Sequence, residues 1–232
     1  MRSDRHDLGE LIKGLRHRDP ALRRRSAADL AALGSLADAA VPYLIQLIDK
    51  DDVATGRSAV RALGCIGPAG LTGIMKALRH AAKQIRREAV WALKRLGPAA
   101  LPALEGLIER LEDNDLRVRM GAAQAVGAIG PEAEPAIPFL IRCLKHSHLI
   151  FCRLAAEALT RIGPASLPAL NAARQSSDAF LRREAEWAIQ RIQGTQTTEV
   201  DSKADASCAT AAEIETVPIP IEQLDCCRKT AD

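Results

Sequence analysis

The amino-acid sequence predicts an all-α fold, a right-handed α-α superhelix (a helical solenoid) of about six helical hairpins. The first observation is a repeated pattern: KQIRREAVWALKRLG at Lys83–Gly97, which has the apolar spacing of one helix, recurs along the chain. The second is regular spacing, because the copies end at positions 34, 67, 97, 130, 163 and 193, which lie 33 or 30 residues apart. Self-similarity at this period is the sequence signature of a solenoid.

Local signals justify the elements in order. A first helix is predicted to begin at Asp7, whose carboxylate can cap it while Glu10 reaches back. Pro20 ends this helix, and the first copy of the repeated helix follows at Leu22–Gly34. Each later unit contains a shorter leading helix and then a repeated helix. At four junctions glycine ends the repeated helix and proline opens the next element. These junctions are Gly67-Pro68, Gly97-Pro98, Gly130-Pro131 and Gly163-Pro164.

Two regions are predicted. Residues 1–194 form the solenoid, and residues 195–232 form an acidic C-terminal tail that is expected to be disordered because it lacks the repeated pattern. The tail carries a net charge of −5, so the solenoid carries +8 against +3 for the whole chain. The N-terminus has no apolar signal segment, and no uncharged stretch is long enough to cross a bilayer. We therefore expect a cytoplasmic protein without membrane contact, whose six cysteines are reduced.

The repeated units resemble a known family. Tandem helical pairs with the pattern Asp…(V/L)R…A..AL..IG and Gly-Pro junctions resemble HEAT repeats over Leu8–Gly194. They are most similar to the short subtype found in phycobilin lyases and in many bacterial proteins. The resemblance implies that the second helix of each pair lines the concave surface of the solenoid. The resemblance is specific for the fold and weak for function, since the shared residues are packing residues.

A structural ladder is predicted at the edge of the buried stripe, where an arginine lies eleven residues before the end of four of the six repeat copies. An Asp–Arg pair at this place resembles the internal ladder of HEAT repeats. A planar guanidinium group can hold a carboxylate and neighbouring carbonyl groups across a tight turn. We therefore assign these residues to the scaffold. They are Asp19, Arg23, Arg86, Asp115, Arg119, Asp178 and Arg182.

Three further positions, ten, six and three residues before the end of each copy, point away from the core. The first two hold arginines and both tryptophans, and the third contributes Lys94. The six repeated helices carry sixteen Lys/Arg against five Asp/Glu, so a merely solvated face does not explain the sign of the charge. Exposed indoles flanked by arginine are typical of recognition surfaces. The predicted partner-binding residues of the concave face are Arg24, Arg57, Arg61, Arg87, Trp91, Lys94, Arg153, Arg183 and Trp187.

The favoured function is a non-catalytic scaffold that binds an acidic protein or peptide along this basic face and uses no cofactor. Two alternatives stay open: a phycobilin-lyase-like subunit that attaches a chromophore, and a protein that binds nucleic acid in the same groove. Iron chemistry like that of deoxyhypusine hydroxylase is excluded on the motif, because the sequence has no His-Glu dipeptide. The acidic tail at 195–232 is expected to compete for the groove, since tethering gives it a high effective concentration.

One constellation has the ligand types of a zinc site. Cys143, His146, His148 and Cys152 supply the sulfur and nitrogen atoms that zinc prefers. Their spacing is too compressed for a familiar zinc module, and His148 and Cys152 occupy the Asp and Arg positions of the ladder. We therefore keep them as a weak candidate and predict no metal.

Overall fold

The computed structural model describes residues 8–50, 52–146 and 148–201; for Lys50 and residues 195–201 only the backbone is described. Within these residues the chain is all-α and forms twelve helices, in which leading and second helices alternate. The leading helices are α1 (Leu8–Gly14), α3 (Val41–Lys50), α5 (Leu71–Leu78), α7 (Leu104–Arg110), α9 (Ile137–Cys143) and α11 (Leu167–Arg174). The second helices are α2 (Pro20–Leu33), α4 (Val53–Ile66), α6 (Lys83–Leu96), α8 (Leu116–Ile129), α10 (Leu149–Ile162) and α12 (Ala179–Asp201). The predicted all-α fold of six consecutive hairpins is confirmed.

Glycine ends five of the second helices. The φ angles of these glycines lie between +57° and +103°, a region in which a side chain would clash with the backbone. At Gly67 the backbone N–H donates a hydrogen bond to the carbonyl of Leu63 at 3.2 Å, which closes the last turn of α4. A short 3₁₀ turn then leads into the next helix. The five glycines are Gly34, Gly67, Gly97, Gly130 and Gly163.

Second helices of successive units pack closely on one another, whereas the leading helices contact each other little. Small residues allow this approach: a Cβ atom added at Gly64 would lie 2.8 Å from the Cβ of Ala92, and one at Gly127 would lie 2.9 Å from the Cα of Ala158. Larger apolar side chains such as Leu93 fill the space between the two layers and are completely buried. The second helices therefore form the tightly packed layer of the stack.

One stretch of the described residues, Pro20–Asp49, is long and apolar enough to cross a membrane by length and composition alone. The fold accounts for its apolar character. The stretch is divided into α2, a 3₁₀ turn at Gly34–Ala40 and α3, and both helices pack against α4. Leu30 and Leu44 are completely buried in these contacts. These buried residues belong to the core of the first two hairpins, whereas Leu22 and Leu36 of the same stretch are exposed.

The last second helix is longer than the sequence pattern predicted. We expected it to end at the stop position Gln193, but α12 continues through Gly194 to Asp201. This unit lacks the Gly-Pro pair that ends four of the other second helices, and a single glycine inside a helix costs only about 1 kcal/mol. The chain divides into two units, Met1–Gly194 and Thr195–Asp232. The tail beyond Asp201, on which the prediction of disorder chiefly falls, lies outside the described residues.

Candidate partner-binding face

The exposed side of the second helices, here called the inner face, carries all nine predicted partner-binding residues. Each of them is at least partly accessible to solvent. The side chains of Arg57 and Arg61 are 44% exposed, and Trp91 is 38% exposed. Because neighbouring second helices pack closely, side chains of one unit reach those of the next. The chemistry of the inner face therefore depends on contacts between units.

The arginines of the second unit bind a glutamate of the third. Arg57 and Arg61 both donate hydrogen bonds from Nη2 to Oε1 of Glu88, at 2.8 Å and 3.0 Å. The Glu88 side chain is only 11% exposed, so this carboxylate is held inside the interface between α4 and α6. Two of the predicted partner-binding arginines thus share one carboxylate.

The same arrangement links the third unit to the fourth. Arg87 forms a two-pronged pair with Asp115, in which Nε lies 2.8 Å from Oδ1 and Nη2 lies 2.5 Å from Oδ2. This hydrogen bond is the main cause that lowers the pKa of Asp115 to about 2, and it raises the pKa of Arg87. In the first unit Arg24 lies 3.8 Å from a carboxylate oxygen of Asp52.

In the last two units, a buried glutamate pairs with two of the inner-face arginines. Glu184 has a side chain that is 2% exposed, and its oxygens lie 3.3 Å from Nε of Arg153 and 3.4 Å from Nε of Arg183. Many of the inner-face arginines are therefore neutralised by carboxylates. Except for Arg183, which pairs within its own helix, the paired arginines join successive units.

The two tryptophans differ in how much of their ring is available. The guanidinium carbons of Arg153 and Arg191 lie 4.2 Å and 5.1 Å from the ring centre of Trp187, so two cations contact its indole. Trp91 has Arg95 at 5.0 Å and is 38% exposed. The indole of Trp91 is therefore the more open of the two for a partner.

A small cavity lies between α6, α8 and α10 in the middle of the inner face. Its volume is about 30 Å³, and Lys94, Gln124, Glu157 and Arg161 line it. Nζ of Lys94 donates a hydrogen bond to Oε1 of Gln124 at 3.0 Å. Burial lowers the pKa of Lys94, and the positive charge of Arg161 lowers it further, whereas Glu157 acts in the opposite direction. The sequence prediction does not include Arg161, because it considered the positions ten, six and three residues before the end of each copy, whereas Arg161 lies two residues before it.

Among the described residues, the aspartates and arginines predicted to form the ladder do not pair with each other within a unit: the aspartates cap helices, and the arginines bind carbonyl groups of the turns. Asp19, Asp115 and Asp178 are helix N-caps whose carboxylates accept hydrogen bonds from backbone N–H groups of α2, α8 and α12. The arginines hold the turns through carbonyl groups: Arg182, for example, donates to the carbonyls of Ser176 and Ser177, both at 2.8 Å. The equivalent bonds to turn carbonyls are made by Arg23, Arg86 and Arg119.

The carboxylate partner of Arg86 comes from the next unit. Arg86 donates from Nε and Nη2 to the two carboxylate oxygens of Asp113, at 2.7 Å and 2.8 Å, and the side chain of Asp113 is 2% exposed. Asp115, which we expected to pair with Arg119 within its own unit, instead pairs with Arg87 of the preceding unit. The ladder therefore connects units as well as closing turns.

The weak metal candidate is engaged in local hydrogen bonds. Sγ of Cys152 donates to the carbonyls of Cys143 at 3.4 Å and His146 at 3.0 Å. Nδ1 of His146 accepts from the backbone N–H of His148, and Nδ1 of His148 accepts from that of Phe151. Burial raises the pKa of Cys143 to about 12, which disfavours the thiolate that zinc needs. Across residues 8–50, 52–146 and 148–201, no group of three His, Cys, Asp or Glu side chains could hold a metal ion.

Helical hairpins that stack through one shared layer of second helices define this chain as an α-solenoid repeat protein. The family model described as HEAT repeats matches residues 8–70 and 71–160. The chain therefore belongs to the HEAT-repeat family, and the resemblance drawn from the sequence is confirmed.

Solved structures have the same fold. An engineered protein is 24% identical over 82% of this chain and 97% of its own, with a TM-score of 0.60. A computationally designed armadillo repeat protein for modular peptide recognition is 18% identical over 80% of this chain and 99% of its own, with a TM-score of 0.56. The complex of CpcE and CpcF of phycocyanin lyase from Nostoc sp. PCC7120 is 24% identical over 80% of this chain and 76% of that chain, with a TM-score of 0.55. A search of the curated proteins found no match.

Proposed function

We propose that this protein is a non-catalytic, cytoplasmic scaffold that binds an acidic protein or peptide through the inner face. HEAT-repeat solenoids are generally protein-binding scaffolds. The observation that carries the proposal is the environment of Trp91, a large indole that is 38% exposed and has the guanidinium of Arg95 5.0 Å from its ring centre. An accessible aromatic ring beside a cation is typical of the residues that dominate binding energy.

The geometry of the second helices suits an elongated partner. Each unit presents side chains at equivalent positions, so a peptide that runs along the inner face meets one unit after another. The designed armadillo protein with the same fold was made for modular peptide recognition. The acidic character of the partner follows from the net charge of +8 on residues 1–194.

The ion pairs of the inner face weigh against the nucleic-acid alternative. Binding a phosphate backbone needs several unpaired Lys or Arg side chains, whereas Arg57, Arg87 and Arg153 are already bound to carboxylates. The lyase-like alternative rests on likeness of fold to the CpcE–CpcF complex at 24% identity. It is tested by incubating the protein with a bilin and a phycobiliprotein subunit and measuring covalent attachment.

The binding test compares the wild-type chain with Trp91→Ser. Immobilised peptides rich in Asp and Glu, neutral peptides of the same length, and single-stranded DNA serve as probes. Removing a binding hot spot costs about 2 kcal/mol or more, which weakens affinity roughly 30-fold. The matched control is Met75→Ser, since Met75 is 37% exposed on the leading helix α5. Truncation after Asp201 should tighten binding if the acidic tail competes for the inner face.

The outcomes separate the proposals. Selective binding of acidic peptides that is weakened by Trp91→Ser but not by Met75→Ser supports the scaffold. Equal affinity of both variants and the wild type contradicts a site at Trp91. A preference for DNA with a steep loss of affinity in salt contradicts the protein-binding role and favours the nucleic-acid alternative.

A further inference from the structure

Lys94, Gln124 and Arg161 form a distinct feature in the middle of the inner face, here called the central cradle. They come from three successive second helices, α6, α8 and α10. The cavity of about 30 Å³ between them exists because small residues lie beneath it. One of these is Gly127, where an added Cβ would lie 2.9 Å from the Cα of Ala158 and 3.4 Å from Cδ of Arg161.

The cations of the central cradle differ from the other inner-face cations in their partners. Arg57 and Arg87 bind carboxylates of the next unit, whereas the ammonium group of Lys94 donates to the neutral amide of Gln124 at 3.0 Å. Arg161 has no hydrogen bond or ion pair to any other residue that the structure describes. Glu157 lines the same cavity but lies beyond ion-pair distance of both cations. The central cradle therefore has donors that a single anion can satisfy.

Burial and charge make an incoming anion favourable at this place. The pKa of Lys94 is lowered mainly by burial and then by the positive charge of Arg161. A negative group between Lys94 and Arg161 would relieve this repulsion and accept charge-assisted hydrogen bonds from both. The size of the cavity limits the anion, because about 30 Å³ is roughly the volume of one water molecule. The tip of a carboxylate side chain fits this space, whereas a phosphate group is larger and carries more negative charge beside Glu157 in the lining.

We propose that the central cradle binds one Asp or Glu side chain of the partner, with Lys94 and Arg161 as the donors and Gln124 as the positioning residue. This inference rests on the proposed function and assigns the part of the inner face that recognises the acidic character of the partner. The exposed indole of Trp91 lies three residues before Lys94 on the same helix, so an aromatic contact and a carboxylate contact are available to one peptide.

The test uses the reactivity of Lys94 itself, so it needs no peptide partner. The full-length native chain is acetylated with a limiting amine-reactive reagent, and modification of each lysine is followed by peptide mass spectrometry. The probes are N-acetylglutamate amide and its neutral counterpart N-acetylglutamine amide, each at about 100 mM and at equal ionic strength, a concentration suited to millimolar affinity. Lys76, which is paired with Asp49 on the leading-helix layer, is the internal control.

We expect the carboxylate probe to slow acetylation of Lys94 at least threefold relative to the neutral probe and to leave Lys76 unchanged. In Arg161→Met the protection of Lys94 should be lost, and in the control Arg191→Met it should remain, since Arg191 occupies the equivalent position on α12 beside Trp187. Equal effects of the two probes on Lys94, or protection that survives Arg161→Met, would overturn the assignment. Protection without binding of any acidic peptide would instead contradict the proposed function and leave the carboxylate site in place.

Discussion

The pair between Arg87 and Asp115 gives a prediction about stability that can be worked out from the structure. Asp115→Asn removes the negative charge but keeps a side-chain oxygen that can still cap α8, because Asn and Asp are equally good N-caps. The substitution therefore isolates the ion pair that joins the third unit to the fourth. We expect it to destabilise the chain at neutral pH and to have little effect in strong acid.

The magnitude follows from the pKa of Asp115, which is lowered from 3.8 to about 2 chiefly by its hydrogen bond with Arg87. One pKa unit corresponds to about 1.4 kcal/mol, so the full shift corresponds to roughly 2.4 kcal/mol. Arg87 is 32% exposed, and solvent screening reduces the expected loss to about 1–2 kcal/mol. Because the folded-state pKa lies below the unfolded value, this stabilisation is complete above pH 3.8 and is lost as the pH falls through 2.

The assay is urea denaturation at pH 7, 4 and 2, followed by circular dichroism and by the fluorescence of Trp91 next to the affected interface. The matched control is Asp178→Asn. Asp178 is the equivalent N-cap of α12 and accepts from the N–H of Phe180 at 2.9 Å, but it has no ion pair within the described part of the chain. Both variants lose the same interaction between a charge and a helix N-terminus. The difference between them therefore measures the pair across units.

Two results would refute this reasoning. If Asp115→Asn and Asp178→Asn cost the same at pH 7, the pair with Arg87 contributes nothing measurable. If the cost of Asp115→Asn is unchanged at pH 2, the loss does not come from the ionised carboxylate. A difference of about 1–2 kcal/mol at pH 7 that disappears near pH 2 agrees with the structure.

Two further predictions concern packing and thiol reactivity. Gly70→Ala should lower the free energy of unfolding by about 1–3 kcal/mol in urea denaturation, because the added Cβ would lie 2.3 Å from the carbonyl oxygen of Leu63. We expect this loss although Ala100 and Ala133 occupy the equivalent positions of other units. A gain in stability, which is the usual result of Gly→Ala in a helical conformation, would contradict the close approach. In the native chain iodoacetamide should modify Cys65 but not Cys143, whose pKa burial raises to about 12, and peptide mass spectrometry should detect modified Cys143 only in denaturant. Equal modification rates of Cys65 and Cys143 in native buffer would contradict the burial of Cys143.

The fold could be predicted because its determinants are local and repeated. Within Lys83–Leu96 the spacing of Ala89, Ala92 and Leu93 identifies the buried stripe, and all three are buried. The glycine at position 97 marks the end of the helix because its positive φ is unfavourable for other residues. These signals recur in each unit, so an error in one copy is corrected by the others. At the last unit the signal is missing, and there the predicted end of α12 was wrong.

The charges of the inner face could not be predicted in the same way. A helical wheel shows which side of a helix a residue occupies, but it says nothing about the offset between neighbouring helices. Glu88 lies thirty-one residues after Arg57 in the chain, yet the packing of α4 on α6 brings the two side chains to 2.8 Å. The sequence therefore predicted where the arginines lie but not that most of them have partners. The same limit applies to Asp115, whose ladder partner was sought in the wrong unit.

The distribution of acidic residues among the second helices explains why the cations of the central cradle have no carboxylate partner among the described residues. On α6 and α12 a glutamate, Glu88 or Glu184, receives the arginines of the preceding helix. At the equivalent position α8 has Gly121, whose absent side chain lets Val90 approach, and its side chains ten and six residues before the helix end are uncharged. Among the described residues, Lys94 on α6 consequently has the amide of Gln124 as its hydrogen-bond partner. The structural pairs hold the units together. Because α8 has no acidic residue within the helix itself, Lys94 and Arg161 on the neighbouring helices are left for a partner, and we therefore place the recognition of acidic groups at α8.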